Sequence, residues 1–362
     1  MHYDVIEKGM QGFLKPAGVF TPSQLKRVVQ ASSALVLAGK CPLRELARFI
    51  HRRGKQPARI QWLRRQLDAA FLQPEYGYEP VLRPLLAVFP EQEWHILMDR
   101  THIEGWKQDV VTVALSYRKR ALPLVWGRIS PGRASTDCIV QLLERSLGLI
   151  PPGVRVIFQG DCEFAHVAIL RWVREQGWDF IGAQTGQTHF YHPGEETSQA
   201  LSDLEVKAGR TRHIAHALLG QSHRFGDVDL YGFRQPHHRV PSQRSREMQY
   251  LATSLPPSRL VRMLGKRRWG IECLFQDWKS GGWDIEASCL EQPQRMDSLL
   301  TLLALVYLWL TLLGRWLCKS GQRHLIDNQP KRHLSLFHIG WDWLIYQWRD
   351  GHDSPPLSIL PF

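Results

Sequence analysis

The pattern of apolar and polar positions changes near residue 90 and divides the chain into a helical part and a mixed part. Residues 22–72 predict three helices, the first beginning at Pro22 and ending at Gly39, the second beginning at Pro42 (LRELARFIHR) and the third at Pro57. Proline is favoured in the first turn of a helix and glycine just after its last turn. Three short basic helices with tight joints are typical of a helix-turn-helix module. We therefore predict a helical DNA-binding region over residues 1–90.

Apolar runs of strand length begin at Glu93. WHILMDRTHI, DVVTVALSYRKR and ALPLVWGRI predict three consecutive strands, and RVIFQ and WDFIGAQT predict two more. Residues 135–149 and 166–176 have helical periodicity and flank the fourth strand. Three strands followed by helix–strand–helix–strand is the order of a ribonuclease-H-like α/β fold, a mixed sheet with helices on both faces. Residues 91–185 are assigned to its first part.

The remaining chain predicts an interruption, two helices and a tail. Residues 186–256 are rich in Gly, Pro, His and Arg, and predict a β-rich insertion. A helix over about 257–280 and a long apolar helix over 290–320 complete the fold, and residues 321–362 form a C-terminal tail. The tail's Trp341, Trp343 and Trp348 are expected to pack on the apolar helix. That helix is nearly long enough to cross a bilayer, but a buried core helix is favoured and no membrane contact is expected.

The charge is large and unevenly distributed. The chain carries a net charge of +12, and residues 1–90 hold 14 Lys or Arg against 6 Asp or Glu, which is +8 of that total. Such a balance indicates a polyanionic partner, usually nucleic acid, although solubility alone also explains positive charge. The residues expected to face phosphates are Arg52, Arg53, Lys55, Arg59, Arg64 and Arg65.

The cysteines and the first residues favour a cytoplasmic protein. The six cysteines are widely spaced and form no CxxC pair, so neither a zinc site nor a disulfide framework is predicted. A reducing compartment fits this pattern. The start, MHYDVIEKGM, lacks the apolar core of a signal peptide.

Two predicted strands end in aspartates. Asp99 follows the first strand in LMDRT, and Asp161 follows the fourth in FQGDCEF. These strands are neighbours in the predicted fold, so the two carboxylates should face each other. Carboxylates held close repel unless cations compensate them, and Mg²⁺ prefers such hard oxygen ligands. Two ions can activate a water or 3′-hydroxyl and stabilise the leaving oxygen. We predict a magnesium site here.

A third carboxylate is expected from the helix over 257–280. Glu272 stands four residues after Arg268 and seven before Lys279. Positions i−4, i and i+7 of a helix share one face, so the three side chains should project together as one metal ligand between two phosphate-binding cations. An ordinary amphipathic surface helix also carries such charges, and the spacing by itself leaves both interpretations open.

At these residues the sequence resembles a known family, the DDE transposases of bacterial insertion sequences, specifically the insertion-sequence-four group. The signature of that group, Tyr-x2-Arg-x3-Glu-x6-Lys, is matched by Arg268, Glu272 and Lys279, while Gly265 stands in the Tyr position. Residues 161–164, DCEF, are similar to the family's Asp-Arg-Glu-Phe, with Cys162 in place of Arg. The resemblance covers roughly residues 90–320.

The resemblance implies a magnesium-dependent endonuclease and strand-transfer enzyme with Asp99, Asp161 and Glu272 as catalytic residues and metal ligands. It implies two Mg²⁺ ions, for which Mn²⁺ can substitute, with Arg268 and Lys279 on phosphates. The implied partners are the element's terminal inverted repeats, target DNA and a second copy of the chain, in a bacterial cytoplasm at the nucleoid. Trp269 is a candidate for stacking on a flipped base, although a core position is the favoured interpretation.

Two other classes of function remain open on the sequence. A degenerate transposase could serve as a DNA-binding repressor, an alternative suggested by Gly265 and Cys162. A ribonuclease-H-like nuclease could use the same carboxylates for hydrolysis without strand transfer. Glu163 is a further candidate as a supporting residue, ranked below the three carboxylates. The histidines of the insertion have no flanking cysteines and predict no zinc site.

Overall fold

The structure, a computed structural model, describes residues 3–234, 248–258 and 261–350. Within these ranges the α-helices are α1 (Tyr3–Leu14), α2 (Pro22–Ala38), α3 (Leu43–Leu46), α4 (Gln56–Leu67), α5 (Pro74–Gly77), α6 (Glu79–Ala87), α7 (Thr136–Leu147), α8 (Val167–Glu175), α9 (Val261–Gly265), α10 (Trp269–Trp278), α11 (Pro293–Lys319) and α12 (Leu336–Asp350). The strands are β1 (Glu93–Ile103), β2 (Gln108–Tyr117), β3 (Arg120–Ile129), β4 (Arg155–Gly160), β5 (Asp179–Gln184), β6 (His189–Tyr191), β7 (Gln199–Ala200), β8 (Thr211–Leu219), β9 (Phe225–Phe233) and β10 (Gln249–Thr253).

All of these strands belong to one mixed sheet. Their order is β3-β2-β1-β4-β5-β10-β9-β8-β6-β7. β1, β4 and β5 run parallel, while β2 and β3 form an antiparallel meander beside β1. The strands of residues 186–256 extend this sheet, because β10 pairs antiparallel with β5 and β9 pairs with β10. The stretch that the sequence marks as an interruption is therefore continuous with the sheet that carries the aspartates.

Helices cover both faces of the sheet, and the glycines at its centre show which face is which. A Cβ on Gly160 of β4 or on Gly182 of β5 would meet Phe164 or Ala165, just before α8. Side chains alternate along a strand, so the residues next to these glycines point to the opposite face. On that face Gly265, at the end of α9, lies against Ile181 and Leu251. We call the face on which Phe164 and Ala165 lie the α8 face. The opposite face is the α10 face, after the helix that packs on β1, β2 and β3.

The core is built around α11. Its residues are buried along most of their length, and it contacts α2, α4, α5 and α12. The helix is long and apolar enough to span a membrane by length and composition, but 94% of its most apolar window is buried inside the protein. The prediction of a core helix is confirmed. Trp343 of α12 is buried, and it meets Trp316 of α11 edge to face.

The N-terminal helices share this core. Ile6 of α1, Leu35 of α2 and Leu63 of α4 belong to the same apolar cluster as α11. The second predicted helix is much shorter than expected and ends at Leu46, so the prediction for LRELARFIHR was wrong after its first turn. Tertiary contacts hold the residues that follow, since Ile50 is buried and Arg52 lies over the Trp62 ring at 5.4 Å.

The helix predicted over 257–280 is also broken. α9 ends at Gly265, a 3-10 turn follows over Lys266–Arg268, and α10 begins at Trp269. Residues 259–260 lie outside the described residues. α10 ends at Trp278, because the chain turns back so closely that a Cβ on Gly282 would stand 1.9 Å from the carbonyl oxygen of Asp277. The break at 266–268 places three consecutive cations at the start of α10.

Candidate functional site

Asp99 and Asp161 stand where the parallel pairing of β1 with β4 ends. Asp161 follows the last residue of β4, but β1 continues to Ile103, so Asp99 lies within its strand and not at the end that the sequence predicts. Met98 of β1 is in register with Gly160 of β4, so each aspartate follows a paired residue. A Cβ on Gly160 would point to the α8 face, and Met98, its partner in register, points the same way. Because side chains alternate along a strand, Asp99 points to the α10 face. One Asp161 carboxylate oxygen accepts hydrogen bonds from the backbone N–H groups of Glu163 (2.9 Å) and Phe164 (3.3 Å), which hold the carboxylate in a tight turn.

Glu272 reaches the same region through Arg268. The Arg268 guanidinium donates from Nη1 to Asp99 Oδ2 at 2.6 Å and from Nη2 to Glu272 Oε1 at 2.8 Å. Arg268 and Glu272 are four residues apart, the spacing that brings side chains together on a helix. One cation therefore joins a carboxylate of the sheet to a carboxylate of α10.

Burial is the main cause of a change in the protonation of Asp99. Together with the nearby charges of Asp161 and Glu272, burial raises the pKa of Asp99 to about 6. The Arg268 guanidinium and the backbone N–H of Arg100 act against this rise. A carboxyl that is buried among carboxylates stays ionised more easily when a cation stands beside it. The site thus favours a bound positive charge.

The three carboxylates do not form a preassembled metal site. Among the described residues, no group of three or more His, Cys, Asp or Glu side chains is arranged to hold a metal ion. The structure brings Asp99 and Glu272 to one cation and places Asp161 within electrostatic reach of Asp99. Arg268 lies between the first two carboxylates, where both could otherwise face a common ion.

Lys279 contacts the same strand as Arg268, but at a different residue. It follows the last residue of α10 with φ −93° and ψ −134°. Its Nζ donates to the backbone carbonyl of His102 and forms an ion pair with Glu286 at 3.0 Å. Lys279 therefore ties the end of α10 to the end of β1, close to the strand that carries Asp99.

Trp269 lies on the surface, and the favoured prediction of a core position was wrong. Its side chain is 64% exposed at the start of α10. Leu264, one residue before the end of α9, packs with Leu251 on a small second core that contains Ile181. Because the chain turns after α9, the residues that follow Gly265 do not pack on that core, and Trp269 is exposed to solvent.

A hydrogen-bonded network on the α8 face supports both aspartates; the sequence predicts Glu163 as a supporting residue but not its partners. Arg100, the neighbour of Asp99, donates from Nε to the Glu163 carboxylate (2.8 and 3.1 Å) and from Nη1 to Asp109 of β2. Glu163 also accepts from the backbone N–H of Ala134 at 2.9 Å. The network links β1, β2 and the turn that holds Asp161. Only the alternation of β1 could have indicated that Arg100 faces away from Asp99.

The other sequence candidates are separate from this site. Of the N-terminal cations, Arg52, Arg53, Lys55, Arg64 and Arg65 are exposed and Arg59 is partly buried. In the insertion, His213 pairs with Asp229 at 3.1 Å and His216 with Asp227 at 2.7 Å. The histidines and arginines of residues 235–247 lie outside the described residues.

The fold and the site define a class of protein: a mixed α/β sheet that brings an acidic cluster, bridged by an arginine, to the point where the pairing of its central parallel strands β1 and β4 ends. The chain belongs to the transposase DDE domain family, whose profile, described as "Transposase DDE domain", matches residues 91–309. This range is more than half of the chain and includes all three carboxylates. The chain is therefore a transposase-family protein, a family of DNA-cutting and DNA-joining enzymes.

Two further comparisons complete this result. No curated protein matches the sequence. Among solved structures, the chain is similar to a piggyBac transposase synaptic complex with hairpin DNA determined by cryo-electron microscopy. The identity is 9% and the TM-score 0.45, with 97% of this chain and 80% of that chain covered.

Proposed function

We propose that this protein is an insertion-sequence transposase that cleaves DNA at transposon ends and joins the freed 3′-hydroxyl to target DNA. The observation that carries the proposal is the bridged pair Asp99–Arg268–Glu272, with Asp161 beside it, inside the region matched by the family. Phosphoryl transfer needs charge stabilisation and positioning more than covalent chemistry from the protein. An acidic site bordered by cations is suited to that work.

The fold proposed for the catalytic part is ribonuclease-H-like. Its support is the order β3-β2-β1-β4-β5, with an antiparallel meander followed by two parallel strands. The last paired residues of β1 and β4 are Met98 and Gly160, and an aspartate follows each of them. The third carboxylate comes from a helix on the α10 face.

The proposed cofactor is Mg²⁺, as two ions held by Asp99, Asp161 and Glu272. The donor chemistry fits, because the ligands are hard carboxylate oxygens and two of them already share a cation. The ions would supply nucleophile activation and stabilisation of the leaving oxygen. Arg268 takes one oxygen of Asp99 and one of Glu272, so an ion held by the same carboxylates would compete with its guanidinium.

The proposed partners are the element's terminal inverted repeats, target DNA and a second copy of the chain. The chain offers one carboxylate site among its described residues, and an element has two ends to be cut together. Two copies therefore supply the two sites. The exposed cations around α4 provide positive charge away from the carboxylates, which suits contact with the phosphates of the terminal repeat.

The experiment that tests this function uses the DNA that flanks the coding sequence. The purified protein is incubated with labelled end fragments and a supercoiled target plasmid in Mg²⁺, Mn²⁺ or EDTA. We expect metal-dependent cleavage at the ends, followed by joined products. Binding without cleavage would instead support a repressor, and hydrolysis without joining would support a nuclease.

Glu163 is predicted to position the carboxylate site. Glu163→Gln keeps the shape of the side chain but loses its ion pair with Arg100, so the turn around Asp161 is held less firmly. We expect the cleavage rate at saturating DNA to fall about 10- to 100-fold, as for other supporting partners of metal ligands, with DNA affinity unchanged. Glu175→Gln, at an exposed position of α8, is the matched control. A Glu163→Gln protein with wild-type turnover would remove Glu163 from this role.

The protonation of Asp99 predicts a pH-dependent stability in metal-free buffer. Its folded-state pKa is raised from 3.8 to about 6, so the folded protein holds this proton more tightly than the unfolded chain. Stability is therefore lost as pH rises from about 4 to about 6. Asp99→Asn removes this loss, which the 2-unit shift limits to about 3 kcal/mol. The melting temperature of the variant should exceed that of wild type at pH 8 and approach it near pH 4.

The control for this pH series is Asp137→Asn, which replaces an exposed carboxylate in the first turn of α7. Its difference from wild type should not follow the same pH profile. An Asp99→Asn protein whose advantage did not grow between pH 4 and pH 8 would show that burial of Asp99 does not penalise the ionised form.

A further inference from the structure

The helix that carries Glu272 has a second carboxylate, and this one is buried. Asp277 of α10 is 3% exposed. Its Oδ2 accepts a hydrogen bond from the Tyr307 hydroxyl of α11 at 3.4 Å and lies 3.5 Å from Nη1 of Arg120, the first residue of β3. Three elements therefore meet at one carboxylate that the proposed chemistry does not use.

Asp277 keeps its charge in spite of its burial. Burial raises the pKa of Asp277 to about 6, and Arg120, His338 and the Tyr307 hydroxyl act against this rise. His338 of α12 is held nearby, because its Nε2 donates to the carbonyl of Gly281 at 3.2 Å. A buried carboxylate with a cation beside it ionises more easily than one without. At neutral pH the group is therefore an ion pair within the core.

Arg120 also meets α10 through its backbone. A Cβ on Gly270 would stand 2.7 Å from the carbonyl oxygen of Arg120, so only a glycine allows this approach. Gly270 and Asp277 are seven residues apart and share one side of the helix. Arg120 thus contacts α10 near both of its ends, with its carbonyl at Gly270 and its guanidinium at Asp277.

Glu272 lies on the other side of the same helix. With 3.6 residues per turn, it stands about 140° from Asp277 around the helix axis. The Glu272 side chain is 34% exposed and the Asp277 side chain 4%, so one carboxylate faces the site and the other faces the core. The other buried residues of α10 are Gly270, Ile271, Leu274, Phe275 and Trp278.

An apolar contact surface is not directional, whereas an ion pair with a fixed partner is. A buried ion pair adds little net stability compared with apolar residues of similar volume, and its best attested use is to specify one arrangement of packed elements. In α10 the ion pair of Asp277 is placed where it can specify the rotation of the helix against β3 and α11.

We propose that Asp277 is a positioning residue for Glu272. By its contacts with β3 and α11 it fixes the rotation of α10, which sets the distance between Glu272 and Asp99. The inference rests on the proposed function, in which these two carboxylates share a metal ion. A side chain reaches about 5–6 Å from the helix axis, so a rotation of about 10° moves the Glu272 carboxylate by about 1 Å. A misplacement of about 1 Å can lower a rate about 100-fold.

The test replaces the polar cluster by apolar residues of similar size, with Arg120→Met, Asp277→Leu and Tyr307→Phe in one triple variant. Because such a replacement is often neutral or stabilising, we expect a melting temperature no more than about 5 °C below that of wild type. Glu79→Leu with Arg145→Met is the matched control, since it removes an ion pair of 2.5 Å that joins α6 to α7. A role in stability alone would make activity follow the melting temperature.

Two measurements report the position of Glu272 without cleavage. Crystal structures of wild type and of the triple variant should differ by about 1 Å or more in the distance from Glu272 to Asp99. Electron paramagnetic resonance should show Mn²⁺ bound about tenfold more weakly by the DNA-free triple variant, as for other supporting partners of metal ligands. In a Glu272→Gln background the same three changes should alter Mn²⁺ affinity less than about twofold, because their effect passes through Glu272.

Single-turnover cleavage separates positioning from DNA binding. At saturating DNA the triple variant should cut about 100-fold more slowly than wild type, with duplex affinity in EDTA unchanged and with the control variant at the wild-type rate. Asp277→Asn keeps the size of the side chain and an acceptor for Tyr307 but loses the charge, and it should cut about tenfold more slowly. If the triple variant does not fold, Asp277→Asn takes its place in the crystal and Mn²⁺ measurements.

The outcomes distinguish this inference from the function on which it rests. An unchanged distance from Glu272 to Asp99 in the folded variant would overturn it, as would cleavage at the wild-type rate or an equal loss in the control variant. If wild type neither binds Mn²⁺ nor cuts the end fragments, the proposed function fails. The crystal structures then still decide whether Asp277 positions Glu272.

Discussion

Asp99→Asn, Asp161→Asn and Glu272→Gln are each expected to reduce metal-dependent cleavage of the end fragments by about 10³-fold or more. Each change keeps the size of the side chain but removes a negative charge that would hold a divalent ion and stabilise the transition state. Binding of the end duplex should be retained, because the cations that contact phosphates are intact. The measurement is single-turnover cleavage in Mg²⁺, with duplex affinity determined separately in EDTA.

The matched control for these variants is Asp137→Asn, which removes a carboxylate from the exposed start of α7 and should cleave at the wild-type rate. Thermal unfolding shows whether each protein is folded. If all three carboxylate variants are folded and cut within a few-fold of wild type, the assigned residues are not the catalytic ones. Loss in only one or two variants would reduce the site to those residues.

Arg268→Ala is expected to have opposite effects on metal binding and on catalysis. In the DNA-free protein the guanidinium takes one oxygen from Asp99 and one from Glu272, at 2.6 and 2.8 Å. A metal ion held by the same carboxylates must compete with it. Removing the guanidinium should therefore raise Mn²⁺ affinity about tenfold, since two close carboxylates lose their compensating cation. The measurement is a Mn²⁺ titration followed by electron paramagnetic resonance.

Cleavage by the same Arg268→Ala protein should fall about 100-fold, because the guanidinium freed from the carboxylates is the group nearest to the site that can bind a DNA phosphate. Arg268→Lys is the conservative variant. Lysine is a point charge that does not bridge two carboxylates in one plane, so its Mn²⁺ affinity should lie between those of wild type and Arg268→Ala. Unchanged or weaker Mn²⁺ binding by Arg268→Ala would contradict competition at this site.

Asp99 and Asp161 were predictable because their signal is local. An apolar run ending in an aspartate marks the end of a buried strand, and the order of strands indicates which ends are neighbours. Arg268 and Glu272 were predictable for a similar reason, since four residues of helix bring two side chains together whatever surrounds them. The structure brings Arg268 and Glu272 within 2.8 Å of each other and Asp161 within electrostatic reach of Asp99. The rule is wrong in one respect, because β1 continues past Asp99 to Ile103 through its pairing with β2.

Trp269 departs from prediction because helical periodicity assumes that the helix continues, but the chain leaves α-helical geometry at Lys266–Arg268. After this break Trp269 is exposed at the start of α10. Lys279 lies at a second break, after Trp278, where the close approach of Gly282 to Asp277 turns the chain, and it contacts Glu286 and the carbonyl of His102.

The sequence by itself determined the order of the central strands, the core helix α11 and the residues that carry the candidate chemistry, because periodicity and short spacings act through the local backbone. Only the tertiary structure decided that the strands after residue 186 continue the same sheet, that Arg268 joins Asp99 to Glu272, and that Arg100 and Glu163 support the aspartates from the opposite face. The contacts Arg100–Glu163 and Asp99–Arg268 join residues 63 and 169 positions apart in the chain, and such partners are chosen by packing.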